Sequence, residues 1–260
     1  MKVLSLILFS FLCFISYDLS AQTLKQIEND LLRSFKRIDY WDQQRSKDTS
    51  MAWSDSLEKA NDVFGKKLKD YTQKYPATIT YLFSLLVKEH LNIISSTDGL
   101  FRIYTWDTWT GGTMHFFENV MQFKSGENTI STLVPRGVEG DGGPYYDKLY
   151  TFKANSKTYY LTTWLAIGST RDYVRGIQTF SIENGKLNTA AKIIKTRTGL
   201  HSEINYEYDL VRTDEKTNST IHFDLKTQSI YVPIVLGQGK LTNNYIIYKF
   251  TGQYFERVKN

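Results

Sequence analysis

Cysteine is all but missing from this chain. Cys13 is the only one among 260 residues, and it lies inside an apolar stretch at the very start. The residues that follow it have no disulfides, no thiolate nucleophile and no thiolate metal site, so their stability must come from a buried core. Histidine is scarce too. His90, His115, His201 and His222 are scattered, and no pair has the three- or four-residue spacing of a zinc-binding helix. His115 and His222 fall in strand-like patterns, where a packed or surface histidine is the plain reading. There is no Gly-x-Ser-x-Gly nucleophile elbow. Gly140, Gly142 and Gly143 are followed by Pro144 and two tyrosines, with no Lys-Ser/Thr pair opening a helix as a phosphate loop requires. Charge of one sign is not concentrated either. Lys and Arg number 32 against 27 acids, and the two signs alternate along the chain. The basic pairs Lys36-Arg37 and Lys66-Lys67 sit on helical faces, which reads as a solvated surface and not as a nucleic-acid or anionic-membrane patch. No cofactor and no metal are expected.

What is present begins with Lys2, a single positive charge, followed by the apolar run Val3 to Ile15 broken only by Ser5 and Ser10. This reads as a secretory signal covering residues 1–21, with Leu19, Ser20 and Ala21 before a cleavage point ahead of Gln22. The run falls short of the roughly 20 apolar residues needed to cross a bilayer. The alternative is an uncleaved N-terminal anchor. Cys13 follows Phe11 and Leu12, not a small residue, so it does not read as a lipid-attachment site. The expectation is an extracytoplasmic protein, periplasmic or secreted, with no integral membrane segment once the signal is removed.

Beyond the signal, Leu24, Ile27, Leu31, Phe35 and Ile38 recur at helical spacing, and Leu57, Ala60, Phe64, Leu68, Tyr71 and Tyr75 repeat the pattern. Two amphipathic helices follow, joined by the polar stretch Asp42 to Ser50 and stopped by Pro76. Ile79 to Lys88 is a third short helix or a strand. From His90 onward the period becomes two, and turn residues recur at short intervals, as in Thr97-Asp98-Gly99, Thr110-Gly111-Gly112 and Glu183-Asn184-Gly185. With 15% aromatic residues, the pattern predicts a mainly β protein of the α+β kind. A helical segment over 22–89 precedes an antiparallel β-meander over 90–260, arranged as propeller-like blades, a barrel or a sandwich. An internal echo bears on that choice. Gly99 to Lys124 and Asn155 to Ile182 each read turn, aromatic strand, glycine-containing loop and strand, with Trp106 and Trp164 as one matching pair and Phe123 and Phe180 as another. Duplication and chance likeness of two hairpins both account for it.

The segment from Asp98-Gly99-Leu100-Phe101 through Trp106-Asp107-Thr108-Trp109 to Thr113, together with the alternation of Ile221 to Phe255, resembles segments of uncharacterised exported β-rich proteins of Gram-negative bacteria. The resemblance implies exported β-rich architecture and carries no assigned activity.

Three loops hold the chemistry that the sequence offers. In the first, Trp106 and Trp109 flank Asp107, an arrangement that can stack on a sugar face while the acid bonds its hydroxyls; burial of one or both tryptophans in the core is the competing reading. Arg171, Asp172 and Tyr173, in the loop after Gly168, take the corresponding place in the second echo unit, and a true repeat would open both loops on one rim. In the third, Glu139, Asp141 and Asp147 lie on a glycine-rich backbone and form a weak calcium candidate that matches no EF-hand spacing. The expected function is a non-catalytic binding or interaction module of the cell envelope, with a glycan or an envelope protein as its partner. The rival is a secreted glycan hydrolase drawing two carboxylates from Asp107, Glu118, Glu139, Asp141 and Asp172.

Overall fold

The computed structural model describes residues 2–47, 52–134, 140–214 and 216–258, with side chains from Thr23 onward. Helix α1 (Lys2–Gln44) and helix α2 (Ala52–Lys74) form the N-terminal hairpin. A 3-10 turn (Pro76–Ile79) and the short helix α3 (Ser84–Lys88) follow, so the stretch that the pattern left open between helix and strand divides into two brief helical pieces. Among the described residues no helix is long and apolar enough to cross a membrane. The two apolar stripes are used as their spacing demands: Ile27, Leu31, Phe35 and Ile38 face Leu57, Ala60, Phe64 and Leu68 in one cluster.

The strands build three sheets. The first is β1 (Asn92–Ser95), β2 (Phe101–Asp107), β3 (Phe117–Ser125) and β4 (Asn128–Leu133), paired in that order as an antiparallel meander. The second contains β5 (Tyr145–Ala154), β6 (Lys157–Ile167) and β7 (Asp172–Glu183), with the short β8 (Lys186–Asn188) hairpinned onto β7. The hairpin of β9 (Ile194–Thr196) and β10 (Gly199–His201) then leads to β11 (Glu203–Asp209), which returns to the second sheet beside β7. The third sheet joins that hairpin to β12 (His222–Asp224), β13 (Ser229–Leu236), β14 (Lys240–Phe250) and β15 (Phe255–Arg257), in the order β10-β9-β15-β14-β13-β12. Only β9 and β15 pair in parallel among the described strands. The protein is therefore mainly β with helices in front, and among the described residues no sheet closes into a barrel.

Three apolar clusters set the layer order. The helices meet Tyr104, Trp106 and Val120 of the first sheet. The opposite face of that sheet, with Phe101, Ile103, Met121 and Phe123, meets Tyr146, Tyr160, Trp164 and Phe180 of the second. The far face of the second sheet, with Phe152, Leu161 and Ile177, meets Ile194, Phe223, Ile230, Val232, Tyr248 and Phe255 of the third. The result is a stack of helices and three sheets in which both inner sheets are covered on both faces. That is why β2 is buried from Phe101 to Trp106 without a polar alternation. The core crosses residues 89–90, because the helices and the first sheet share one cluster.

Where polar groups enter this core they are matched. Glu28 is buried on α1 and accepts hydrogen bonds from the Tyr81 hydroxyl at 2.9 Å and from the backbone N–H of Leu85 at 2.7 Å, the second of which caps α3 from across the fold. Burial first, and then the Glu28 carboxylate, push the Tyr81 hydroxyl up to about 12. Arg102 is buried without an acid beside it among the described residues; its guanidinium donates to Ser95 Oγ at 2.7 Å and to the carbonyls of Thr78 and Tyr81 at 2.9 and 2.6 Å. This fastens the turn before α3 to the first sheet.

At the β7–β8 hairpin, Glu183 Oε1 accepts from Lys157 Nζ at 2.7 Å, Ser181 Oγ at 2.5 Å and Asn188 Nδ2 at 3.1 Å. The Lys157 bond, followed by those of Ser181 and Asn188, lowers its carboxyl from 4.5 to about 2. A depressed folded value means that the unfolded chain binds this proton more readily, so the contribution is whole above 4.5 and disappears as pH falls toward 2. Solvent screening keeps it modest, since the side chain is 42% exposed. Glu183→Gln should accordingly lower stability modestly at neutral pH and flatten the acid limb between pH 4.5 and 2, where the two proteins converge. Parallel acid limbs for the two proteins in urea titrations would refute this.

Candidate functional site

Strand β2 ends at Asp107, and the nine residues before β3 form a loop fixed from several sides. Asn61 on α2 donates through Nδ2 to the Thr108 carbonyl at 2.9 Å. Thr108 in turn donates from both N–H and Oγ1 to the Phe116 carbonyl, each at 2.9 Å. From the end of α1 the Arg45 guanidinium donates to the Gly111 carbonyl at 2.9 Å and also to the Trp109 carbonyl, while its face lies 5.0 Å from the Trp53 ring centroid. The far side of the loop is close-packed: a Cβ on Gly111 would fall 1.9 Å from the Met114 carbonyl oxygen, and one on Gly142 would fall 2.3 Å from that of His115. Only glycine fits at either place.

On this support Trp109 stands 42% exposed with φ of +57°, the left-handed region that a bulky side chain rarely adopts. Asp107 secures it. Its Oδ1 accepts the Trp109 N–H at 2.9 Å and its Oδ2 bonds His115 Nδ1 at 2.5 Å. With Nδ1–H donating to the carboxylate, Nε2 is left as the acceptor of the imidazole. The rings run on as an array: Trp109 and His115 have centroids 6.1 Å apart, His115 and Phe117 lie nearly parallel at 6.0 Å, and Phe117 meets Tyr145 edge-on at 5.2 Å. Asp42, Arg45, Asp107, Trp109, Met114 and His115 are among the walls of an open cleft of about 460 Å³.

The residues expected to bind do not all meet here. Trp106 leaves the set, because it is 1% exposed and points into the helix-facing core, its indole N–H donating to Asn61 Oδ1 at 3.0 Å. Strand alternation accounts for that: residues 104 and 106 share the face turned to the helices. Asp172 and Tyr173 open strand β7 and are not part of the preceding loop, so only Arg171 keeps its loop position. Arg171 Nη2 bonds Asp209 at 2.6 Å, Asp172 Oδ2 accepts from Ser169 Oγ at 2.7 Å, and the Tyr173 ring lies 5.7 Å from that of Tyr208. Asp172 and Tyr173 line a separate cleft, also of about 460 Å³, together with Asp209, Arg212 and Gln238. The two loops are nonetheless neighbours at one end of the stack, where the His115 N–H donates to the Ile167 carbonyl at 3.1 Å.

The calcium candidate divides. Glu139 lies outside the described residues. Asp141 accepts from the Gly143 N–H at 2.9 Å, and Asp147 sits in strand β5, where it bonds the Thr163 hydroxyl and forms an ion pair with Arg175 at 3.1 Å. Both carboxylates are thus committed to the protein's own donors, and among the described residues no group of three or more His, Cys, Asp or Glu is placed to hold a metal ion.

His115, Arg45 and Asn61 were not among the expected site residues. Arg45 follows the end of α1 and Asn61 lies on α2, both far from the loop in sequence, and nothing in the chain marks them as its supports. His115 could be paired with Asp107 only once the loop between β2 and β3 was seen to double back. No family model, curated protein or solved structure gives a significant match to this chain.

Proposed function

We propose that this protein is an exported, non-catalytic binding module of the cell envelope whose ligand, a glycan, seats on the Trp109 ring in the cleft beside Asp107 and His115. The observation that carries this reading is that Trp109 is held exposed, in a left-handed conformation, by a loop anchored from two helices. Exposing the ring adds nothing to the core, and a strained backbone at a clamped surface loop is the mark of a functional constraint. A rigid aromatic platform with polar groups at its edge suits the face of a sugar ring and its hydroxyls, with His115 Nε2 available as an acceptor. Export rests on the apolar leader read in the sequence. The hydrolase reading is weaker on the same geometry, because Asp107 spends both oxygens within the loop, while Asp141 accepts from Gly143 in its own loop and Asp172, at the start of β7, accepts from Ser169.

The test pairs affinity with stability. Soluble peptidoglycan fragments and neutral oligosaccharides would be titrated against the wild-type chain and against Trp109→Ala. The substitution should weaken binding by about 1–3 kcal/mol, the range for an aromatic hot spot, and change folding stability by less than about 1 kcal/mol, as expected for a surface position. Unchanged affinity for a bound glycan, or failure of every one of these glycans to bind, would defeat the proposal.

A further inference from the structure

Among the described residues the last layer of the stack has no neighbour on one side. The face of the third sheet carrying Ile230, Val232 and Tyr248 packs on the second sheet. Alternation turns Tyr231, Tyr245 and Ile247 the other way, together with Lys195 and Glu256, which follow the buried Ile194 and Phe255. On that open face His222 and Tyr231 stack with centroids 4.8 Å apart and planes within 2°, and Tyr245 closes the group edge-on at 5.6 and 5.8 Å. Tyr245 is also a wall of a broad open basin of about 1090 Å³ that extends to Lys195, Arg197, Glu256 and Arg257.

The charges of this basin are uneven. Lys195 is satisfied, bonding Glu256 at 2.8 Å and Tyr254 Oη at 3.0 Å. Arg197 and Arg257 are exposed and have no acidic partner among the described residues. Two unpaired guanidiniums and one neutralised ammonium, with the single acid already bound, leave a net positive basin beside aromatic rings. Guanidinium is suited to planar oxyanions, which it grips with two parallel N–H donors, and a concave surface of one sign concentrates ligands of the other.

We propose that this basin is a second binding site, independent of the Trp109 cleft, for an acidic polysaccharide: Arg197 and Arg257 take its carboxylates, and Tyr245, a wall of the same basin, takes the apolar face of a ring. Charge complementarity selects an anionic ligand. The aromatic faces, the hydroxyls of Thr196 and Thr198 and the carboxylate of Glu256 favour a hydroxyl-rich chain with spaced charges. Single-stranded nucleic acid is the competing polyanion, with one charge per residue as in a polyuronate, and the oligonucleotide arm of the experiment separates the two. An anionic bilayer would use Ile234, Ile247 and Val258 of the same basin together with its arginines, and the vesicle arm of the experiment separates it from a polysaccharide.

The probe is a hexamer of a polyuronate, titrated against the full chain at low salt and again with added sodium chloride, next to a neutral glucan of equal length, a single-stranded DNA oligomer of equal charge and vesicles containing phosphatidylglycerol. The polyuronate should bind, its affinity should fall as salt rises, and Arg197→Gln with Arg257→Gln should weaken it at least tenfold while Trp109→Ala leaves it unchanged. Both arginines are exposed, so the double variant should retain the wild-type melting curve; if it does not, Arg197→Gln alone, in the turn between β9 and β10, must still weaken binding at least threefold. Equal binding of the neutral glucan, equal or tighter binding of DNA or vesicles, or full affinity in the arginine variants would overturn the assignment. Loss of polyuronate binding in Trp109→Ala would place the ligand in the other cleft and overturn it as well.

Discussion

Replacing Trp106 with alanine is expected to destabilise the fold by about 3–5 kcal/mol, the range for truncating a large buried aromatic residue. The ring meets Phe64 edge-on at 5.0 Å and lies 3.3 Å from where a Cβ on Gly65 would stand, so α2 approaches the first sheet closely over it and cannot easily collapse into the space left behind. The loss is also polar. Asn61 Oδ1 would lose the indole N–H and remain buried without that donor. Because the same Asn61 side chain holds the Thr108 carbonyl, the loop that carries Trp109 should loosen too, and Trp106→Ala should weaken the glycan binding proposed for that loop. Trp106→Phe keeps most of the ring contact and loses the hydrogen bond, so it should cost less. Urea unfolding of both variants provides the check; a loss below about 1 kcal/mol for Trp106→Ala would mean that the indole is not the centre of this core.

The contrast between Trp106 and Trp109 shows where sequence reading succeeds and where it stops. Their spacing of three puts them on opposite faces of a continuing strand, yet nothing in the chain says which is inside, because β2 lies between two layers and has no polar side to mark. The helices were legible for the opposite reason: their outer faces are wet, so the stripes of Ile27 to Ile38 and Leu57 to Leu68 stand out. Strand β5 was harder. Its regular alternation breaks at Asp147, where the register shifts between Tyr146 and Lys148; Tyr146 and Leu149 consequently share the inner cluster while Tyr150 and Phe152 face the third sheet. A pattern search that assumes unbroken alternation reads the start of that strand as loop.

The internal echo turns on the same parity. Trp106 faces the layer before its own sheet, the helices, and Trp164 likewise faces the layer before its own, the first sheet. Gln122 and Gln178 repeat the likeness, each accepting a tyrosine hydroxyl, from Tyr104 at 2.9 Å and from Tyr146 at 2.8 Å. Phe123 and Phe180 break it, since the first faces forward to the second sheet and the second faces back to the first. With a period of two, one residue of offset is enough to reverse a face. The site itself depends on chain segments that meet only after folding. Arg45 and Asn61 reach the loop because α1 and α2 lie on the first sheet, and no local pattern encodes that contact. Trp109 and Asp107 were legible because an aromatic residue beside an acid in a turn is unusual without any knowledge of the fold.

Gly176→Ala should be nearly as damaging as the loss of Trp106, although it adds a single methyl group. Gly176 lies in β7 directly opposite Trp164 in β6, and a Cβ there would fall 2.5 Å from Cε2 and 2.6 Å from Cζ2 and Nε1 of the indole. The backbone at this position has no left-handed requirement, so the contact alone forbids a side chain, as for a glycine that marks close approach within a strand. The ring has little room to yield, because Trp164 shares its cluster with Tyr146, Phe180, Ala166 and Val174. Its Nε1 is buried without a hydrogen-bond partner among the described residues, so apolar packing alone fixes the ring. Overpacking of this kind costs about 1–3 kcal/mol and occasionally more, and the rigid neighbours place Gly176→Ala at the upper end, near 3 kcal/mol. A smaller side chain should relieve it. Trp164→Leu alone opens a cavity and destabilises, but in the Gly176→Ala background it should cost much less, giving a favourable coupling of at least about 1 kcal/mol in a double-mutant cycle. Additive losses would mean that the alanine methyl clashes with something other than Trp164, and a neutral Gly176→Ala would mean that the indole does not lie across the glycine at all.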